Sequence, residues 1–208
     1  MSYADLMEKL AERFHTTPET IQALNPAGLE LKAGARVIVP NVGNDRIDPG
    51  AANERNWLGT LASLGVASEQ PRAASIIVDK SESVLKAYDE EGKLIAQFPA
   101  TMGSEHDPLP LGQWRIRGSA LNPDFHYNPA LFWDADSDDR RALLPPGPNS
   151  PVGVVWIDLS RPHYGIHGTP EPRTIGRTES HGCIRLTNWD AARLAQMVRP
   201  GVTATFRP

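Results

Sequence analysis

Cys183 is the only cysteine in 208 residues, and its neighbours are reactive or permissive types. It stands in the run Ser180-His181-Gly182-Cys183-Ile184-Arg185. A second histidine, His167, lies fourteen positions before His181 in Tyr164-Gly165-Ile166-His167-Gly168. A thiol attacks as thiolate, and nearby imidazole or guanidinium groups favour that form. A glycine directly before the nucleophile leaves room for substrate and permits an unusual backbone turn. The successive amides of Gly182 and Cys183 are candidate donors to a developing oxyanion. The set supplies a nucleophile (Cys183), two candidate bases (His167 and His181), an anion donor (Gly182) and a cation (Arg185). Its chemistry is acyl transfer through a thioester.

Two plainer readings compete. A lone cysteine is often a small buried hydrophobe, although glycine, histidine and arginine neighbours argue against an inert apolar pocket. Imidazole and thiolate also bind zinc, but structural zinc sites usually take four protein ligands and this set offers three. No metal and no cofactor is therefore expected. His15, His106, His126 and His163 lack such a context and read as surface or packing residues.

The order His-Gly, then Ser-His-Gly-Cys-hydrophobic-Arg, resembles the signature of the L,D-transpeptidases, the YkuD-type enzymes of peptidoglycan. Two more blocks agree in order. Pro108-Leu109-Pro110-Leu111-Gly112-Gln113-Trp114-Arg115-Ile116 is similar to the family's TPTGTFRI segment, and Asn149-Ser150-Pro151-Val152-Gly153 to its NPLG. The resemblance covers the stretch from about Ala74 to Phe206. It implies attack by Cys183 on the L,D bond of a tetrapeptide stem, loss of D-alanine, and resolution of the thioester by an amine from another stem or an envelope protein. It implies His167 as general base, with the Gly168 carbonyl as its orienter, and a supporting role for His181. Arg185, Ser180 and Gly168 become candidate substrate contacts, and Ser180 with Gly182 sets the loop geometry. It also implies acylation by carbapenems. An L,D-carboxypeptidase on the same stem, or a peptidoglycan-binding protein with a disused site, are the alternatives.

Composition fits one domain of ordinary size plus a small one. Forty per cent of residues are hydrophobic, enough for a core. A net charge of −4 and a pI near 5.9 give no electrostatic case for nucleic acid. No run of 18 apolar residues predicts a membrane span. The polar, acidic start shows no secretory signal, so a cell-envelope or periplasmic location implies an export signal missing from the chain as given.

Three segments follow from the patterning. Residues 1–40 read as two short helices and a strand. Leu6, Leu10 and Phe14 share one helix face, Thr17 and Pro18 start a second helix with Ile21 and Leu24 inward, and a strand follows over 37–40. This segment resembles a LysM module lacking its opening strand, which implies a possible contact with peptidoglycan glycan. Residues 41–72 form a linker packed on the next domain. Residues 73–208 carry the catalytic domain, with strands predicted over 75–78, 84–88, 94–98, 114–117, 154–159 and 202–206. A helix capped by Thr187 runs with Ala191, Leu194, Ala195 and Val198 inward. The fold class is mainly β with some α, an L,D-transpeptidase-like β-sandwich. A long insertion, 119–150, reads by the same resemblance as a lid, with Tyr127, Phe132 and Trp133 as its aromatic candidates.

Overall fold

The computed structural model describes residues 1–43, 45–51, 53–131, 133 and 135–208. Its strands are β1 (Ser75–Asp79), β2 (Val84–Tyr88), β3 (Leu94–Pro99), β4 (Thr101–Met102), β5 (Gly112–Leu121), β8 (Val155–Leu159), β9 (Gly165–His167), β10 (Ile184–Arg185) and β11 (Thr203–Arg207). These pair in the order β3-β2-β1-β11-β5-β8-β9-β10-β4, while β6 (Phe125–Tyr127) and β7 (Ala142–Leu144) pair apart within the insertion. The fold is mainly β with some α, as expected.

The ten-residue β5 joins two wings. Residues 112–115 pair with β11, and residues 116–121 pair with β8 after a register shift between Ile116 and Gly118. Alternation does the sorting, because successive strand side chains face opposite ways. Val155, Ile157 and Leu159 of β8 are buried in the core, with Ile166 beside Ile157 and Ile184 beside Ile166. Each fully buried aliphatic side chain contributes roughly 1.5–3 kcal/mol. Trp156, His167 and Arg185 form the next row in register, on the opposite face.

Helix α4 (Asn188–Met197) follows β10 directly. The Thr187 hydroxyl accepts from the Asp190 amide at 3.0 Å and donates to the Asp190 carboxylate at 2.9 Å, the reciprocal cap expected from the sequence. Residues 41–72 pack on the catalytic domain. Helix α3 (Trp57–Leu64) contributes Trp57, Leu61 and Leu64 to the main core, their four- and three-residue spacing placing them on one face.

The N-terminal segment departs from expectation in two ways. Helix α1 (Leu6–Arg13) and helix α2 (Pro18–Leu24) form, capped by Asp5 and Thr17. Yet Leu6 and Leu24 are 47% and 43% exposed, and the face that α1 buries carries Ala11 and Glu12. No strand forms over 37–40. With no neighbouring strand, the Ile38 backbone pairs with a side chain: its amide donates to the Asn25 carboxamide at 2.7 Å and its carbonyl accepts from it at 2.8 Å. The segment lies against the rest of the chain. Arg13 donates to the Ala62 carbonyl and pairs with Asp45, Glu19 pairs with Arg173 at 3.0 Å, and the His15 ring stacks on Trp189 at 4.4 Å.

Candidate active site

Strand pairing brings the two sequence motifs together. β9 and β10 are parallel, with Ile184 opposite Ile166 and Arg185 opposite His167. Arg185 and His167 are thus side by side on one face, and Cys183, in the bend just before β10, has its thiol within hydrogen-bond reach of the Gly165 backbone.

Each side chain is held. His167 is 5% exposed, and its ring stacks on Trp156 at 5.4 Å with planes 16° apart. Its Nδ1 lies 2.6 Å from the Gly168 carbonyl oxygen. A carbonyl can only accept, so the proton of the neutral ring sits on Nδ1 and Nε2 carries a free lone pair. The Cys183 thiol is half-buried, 3.8 Å from the His163 carbonyl oxygen. Gly182 has φ +89°, and a Cβ there would lie 2.7 Å from the Tyr164 ring, so backbone sign and space both require glycine.

The Ser180 hydroxyl accepts from the Gly103 amide at 2.7 Å and donates to the Cys183 carbonyl at 2.5 Å. Its one proton is thus donated within the scaffold, and the two bonds tie the nucleophile loop to Gly103. The Gly168 carbonyl is likewise occupied by His167, so this residue orients the ring. Arg185 lies 3.4 Å from His181 Nδ1, and among the described residues no carboxylate stands within ion-pair distance of its guanidinium. Of the lid candidates, Trp133 is 60% exposed and lies edge-on to His106 at 4.4 Å, with its ring centre 6.1 Å from that of His181. His106, read as an ordinary surface residue, therefore packs on Trp133 in the neighbourhood of His181. Tyr127 donates to Asp139 at 2.6 Å inside the insertion. Phe132 lies outside the described residues.

The electrostatics correct one expectation. Burial pushes the Cys183 thiol up, and the Gly165 amide and Arg185 only partly offset it, with Asp107 opposing them. Burial also pulls His167 down to about 4; the Gly168 hydrogen bond opposes this and Arg185 adds to it. The resting pair is neutral thiol and neutral imidazole, because desolvation penalises both charges. Trp156, Asp107 and Gly103 also touch these residues but stand in no sequence motif; only the tertiary structure reveals them.

Two buried groups titrate in opposite senses and both contribute to the pH dependence of stability. His167 falls from an ordinary 6.5 to about 4, so the unfolded chain binds the extra proton and stability drops as pH falls through that window. Glu12, chiefly through burial, rises from 4.5 to about 7, so the folded chain holds the extra proton and stability drops as pH rises through that window. Each effect is on the order of 3 kcal/mol, and between pH 4.5 and 6.5 they nearly cancel. Relative to the native chain, Glu12→Gln should lose stability toward low pH and His167→Gln toward high pH. Urea unfolding at several pH values checks this; three parallel profiles would refute it.

The comparisons with known proteins bear on the same region. The putative L,D-transpeptidase YkuD of Bacillus licheniformis is 26% identical over 206 residues, 98% of this chain and 94% of that protein. A putative L,D-transpeptidase of Fuscovulum blasticum is 29% identical over 180 residues, 84% of this chain and 90% of its own length. Among solved structures, an L,D-transpeptidase from Mycobacterium smegmatis superposes with a TM-score of 0.51 at 19% identity, covering 64% of this chain and 58% of the other. L,D-transpeptidase 3 from Mycobacterium tuberculosis, in complex with a faropenem-derived adduct, gives 0.52 at 17% identity, covering 64% and 60%. This chain thus spans about three-fifths of those solved chains, and at that identity they speak for the fold alone. The YkuD model, described as an L,D-transpeptidase catalytic domain, matches residues 73–205, which takes in the sheet, the insertion and both histidine motifs. Since that is more than half of the sequence, the chain belongs to the YkuD family of L,D-transpeptidase catalytic domains.

Proposed function

We propose that this chain acylates Cys183 with a peptidoglycan tetrapeptide stem and passes the acyl group to an amine. L,D-transpeptidases are cysteine-dependent acyltransferases that act on peptidoglycan in the cell envelope. The single observation that carries the reading is the committed Nδ1 of His167, which leaves Nε2 as the basic nitrogen of a ring on the strand paired with β10, the strand that directly follows Cys183.

In the first step the sulfur attacks the carbonyl of the L,D bond as its proton passes to His167 Nε2. The amides of Gly182 and Cys183 receive the oxyanion. The C–N bond then breaks, the imidazolium protonates the leaving amine of D-alanine, and a thioester remains. In the second step an acceptor amine attacks that thioester, giving its proton to His167. The C–S bond breaks and the proton returns to sulfur. Starting from neutral partners, proton transfer and attack must be concerted, so His167 acts within the transition state. Arg185 suits the terminal carboxylate of the donor stem, and Trp133 covers the site against water. The acceptor is an amine of another stem or of an envelope protein, and a periplasmic location follows from it. Residues 1–40 serve as a buttress whose LysM-like pattern adds glycan contact at most weakly.

Incubation of the protein with disaccharide-tetrapeptide, followed by mass spectrometry of the muropeptides, is the test. Cross-linked dimers with released D-alanine are expected. Trimmed tripeptides alone would make the protein a carboxypeptidase, and unchanged substrate would mean a disused site.

A further inference from the structure

We infer that Glu12, in the first helix and far from the reactive thiol in sequence, is a positioning residue for the His167 ring, acting through the carboxamide of Asn188. The inference rests on His167 as the base proposed above.

Asn188 opens α4 and is fully buried. Its Oδ1 accepts from the Val154 amide at 3.2 Å, and its Nδ2 donates to Glu12 Oε1 at 2.8 Å, to the Pro148 carbonyl at 3.0 Å and to the Thr169 carbonyl at 3.2 Å. Backbone closes around it. A Cβ on Gly168 would lie 2.2 Å from Asn188 Oδ1, and one on Gly153 would lie 1.9 Å from the same atom. The carboxamide is therefore the template against which residues 168 and 169 are laid. The Gly168 carbonyl, on that same stretch, receives the His167 Nδ1 proton. A shift of the peptide would turn the ring and move Nε2 away from the thiol.

A carboxamide needs a fixed partner to hold one rotation, and Glu12 supplies it. Glu12 is 7% exposed, and its second oxygen accepts from the Tyr3 hydroxyl at 3.0 Å. Among the described residues no cation pairs with this carboxyl. Burying such a group opposes folding unless it is well hydrogen-bonded. Alanine or leucine would suit packing on this helix face. What the carboxyl adds is direction: a strong acceptor at one end of the chain Tyr3, Glu12, Asn188, Gly168–Thr169, His167. Misplacement of a reacting group by a fraction of an ångström lowers rate more than binding.

The test compares Glu12→Ala with Glu12→Gln in the full chain, at a temperature where both are folded. Glu12→Ala should lower kcat for the tetrapeptide about tenfold with KM within about twofold, and Glu12→Gln, which keeps an acceptor, should restore most of it. A second readout needs no substrate. The His167 Nδ1 proton, protected by its short hydrogen bond, should give a downfield NMR resonance that persists in Glu12→Gln and broadens in Glu12→Ala. If Glu12→Ala keeps both the resonance and kcat, or if Glu12→Gln is as impaired as Glu12→Ala, the inference falls. Loss of the resonance with unchanged turnover would support the positioning of the ring and overturn the role of His167 as base. Should Glu12→Ala fail to fold, Tyr3→Phe, which removes one hydrogen bond from Glu12 and keeps the ring, must broaden the same resonance and lower kcat about threefold; no change in either would overturn the inference.

Discussion

Replacing Cys183 with alanine is expected to abolish transfer while leaving the fold unchanged. Removing a nucleophile from a concerted catalytic set lowers turnover by on the order of 10⁴-fold or more, because the remaining groups have nothing to activate. The fold should tolerate the change. Cys183 is half-buried and lies outside the main core, and the pin that fixes its loop runs from the Ser180 hydroxyl to the Cys183 backbone carbonyl, which alanine retains. Because the resting thiol is neutral, inactivation should favour acylating reagents that recruit the base over simple alkylators that need preformed thiolate. Intact-protein mass spectrometry with a carbapenem should therefore show one adduct on the native chain and none on Cys183→Ala. Normal tetrapeptide processing by the alanine variant would remove Cys183 from the mechanism.

The second large effect belongs to His167. Its replacement by glutamine should slow acylation by about 10²–10⁴-fold, the usual contribution of a positioned general base. The equivalent change at His181 should cost far less. His181 approaches Arg185 and Trp133, whereas His167 is stacked, buried and tautomerically fixed. Single-turnover acylation of both variants measures the ranking. Were His181→Gln the more damaging, the base would be His181, and the Nδ1 bond of His167 would be merely structural.

The catalytic domain was legible because its signals are local. β-Branched runs bounded by turns gave the strands near 75, 84, 94, 155 and 203, and the Thr187 cap gave the start of α4. The short strands β4, β9 and β10 were not, since two or three residues carry no period and exist only through their partners. The motif residues Cys183, His167, His181 and Arg185 could be named from type and spacing, but the β9–β10 register, which sets Arg185 beside His167 and brings the two motifs together, is encoded by no spacing. Likewise Leu6 and Leu24 suggested an apolar face for the first helices, whereas the buried face holds Glu12. A charged residue turned inward is visible only once its partner, Asn188, is known, and 176 positions separate the two.

β11, drawn from the end of the sequence, runs parallel to β1 and antiparallel to β5 in the middle of the sheet. Without it the two wings have no shared ladder, since β1 reaches β5 only across β11. During synthesis, which proceeds from the N-terminus, the sheet cannot close until residues 203–207 have been made. Long-range pairings of this kind also form slowly, because a large loop must be ordered first. The wing that carries the reactive thiol, from β5 to β4, can therefore pair before the other wing is fastened to it, and the last strand acts as the clasp between them.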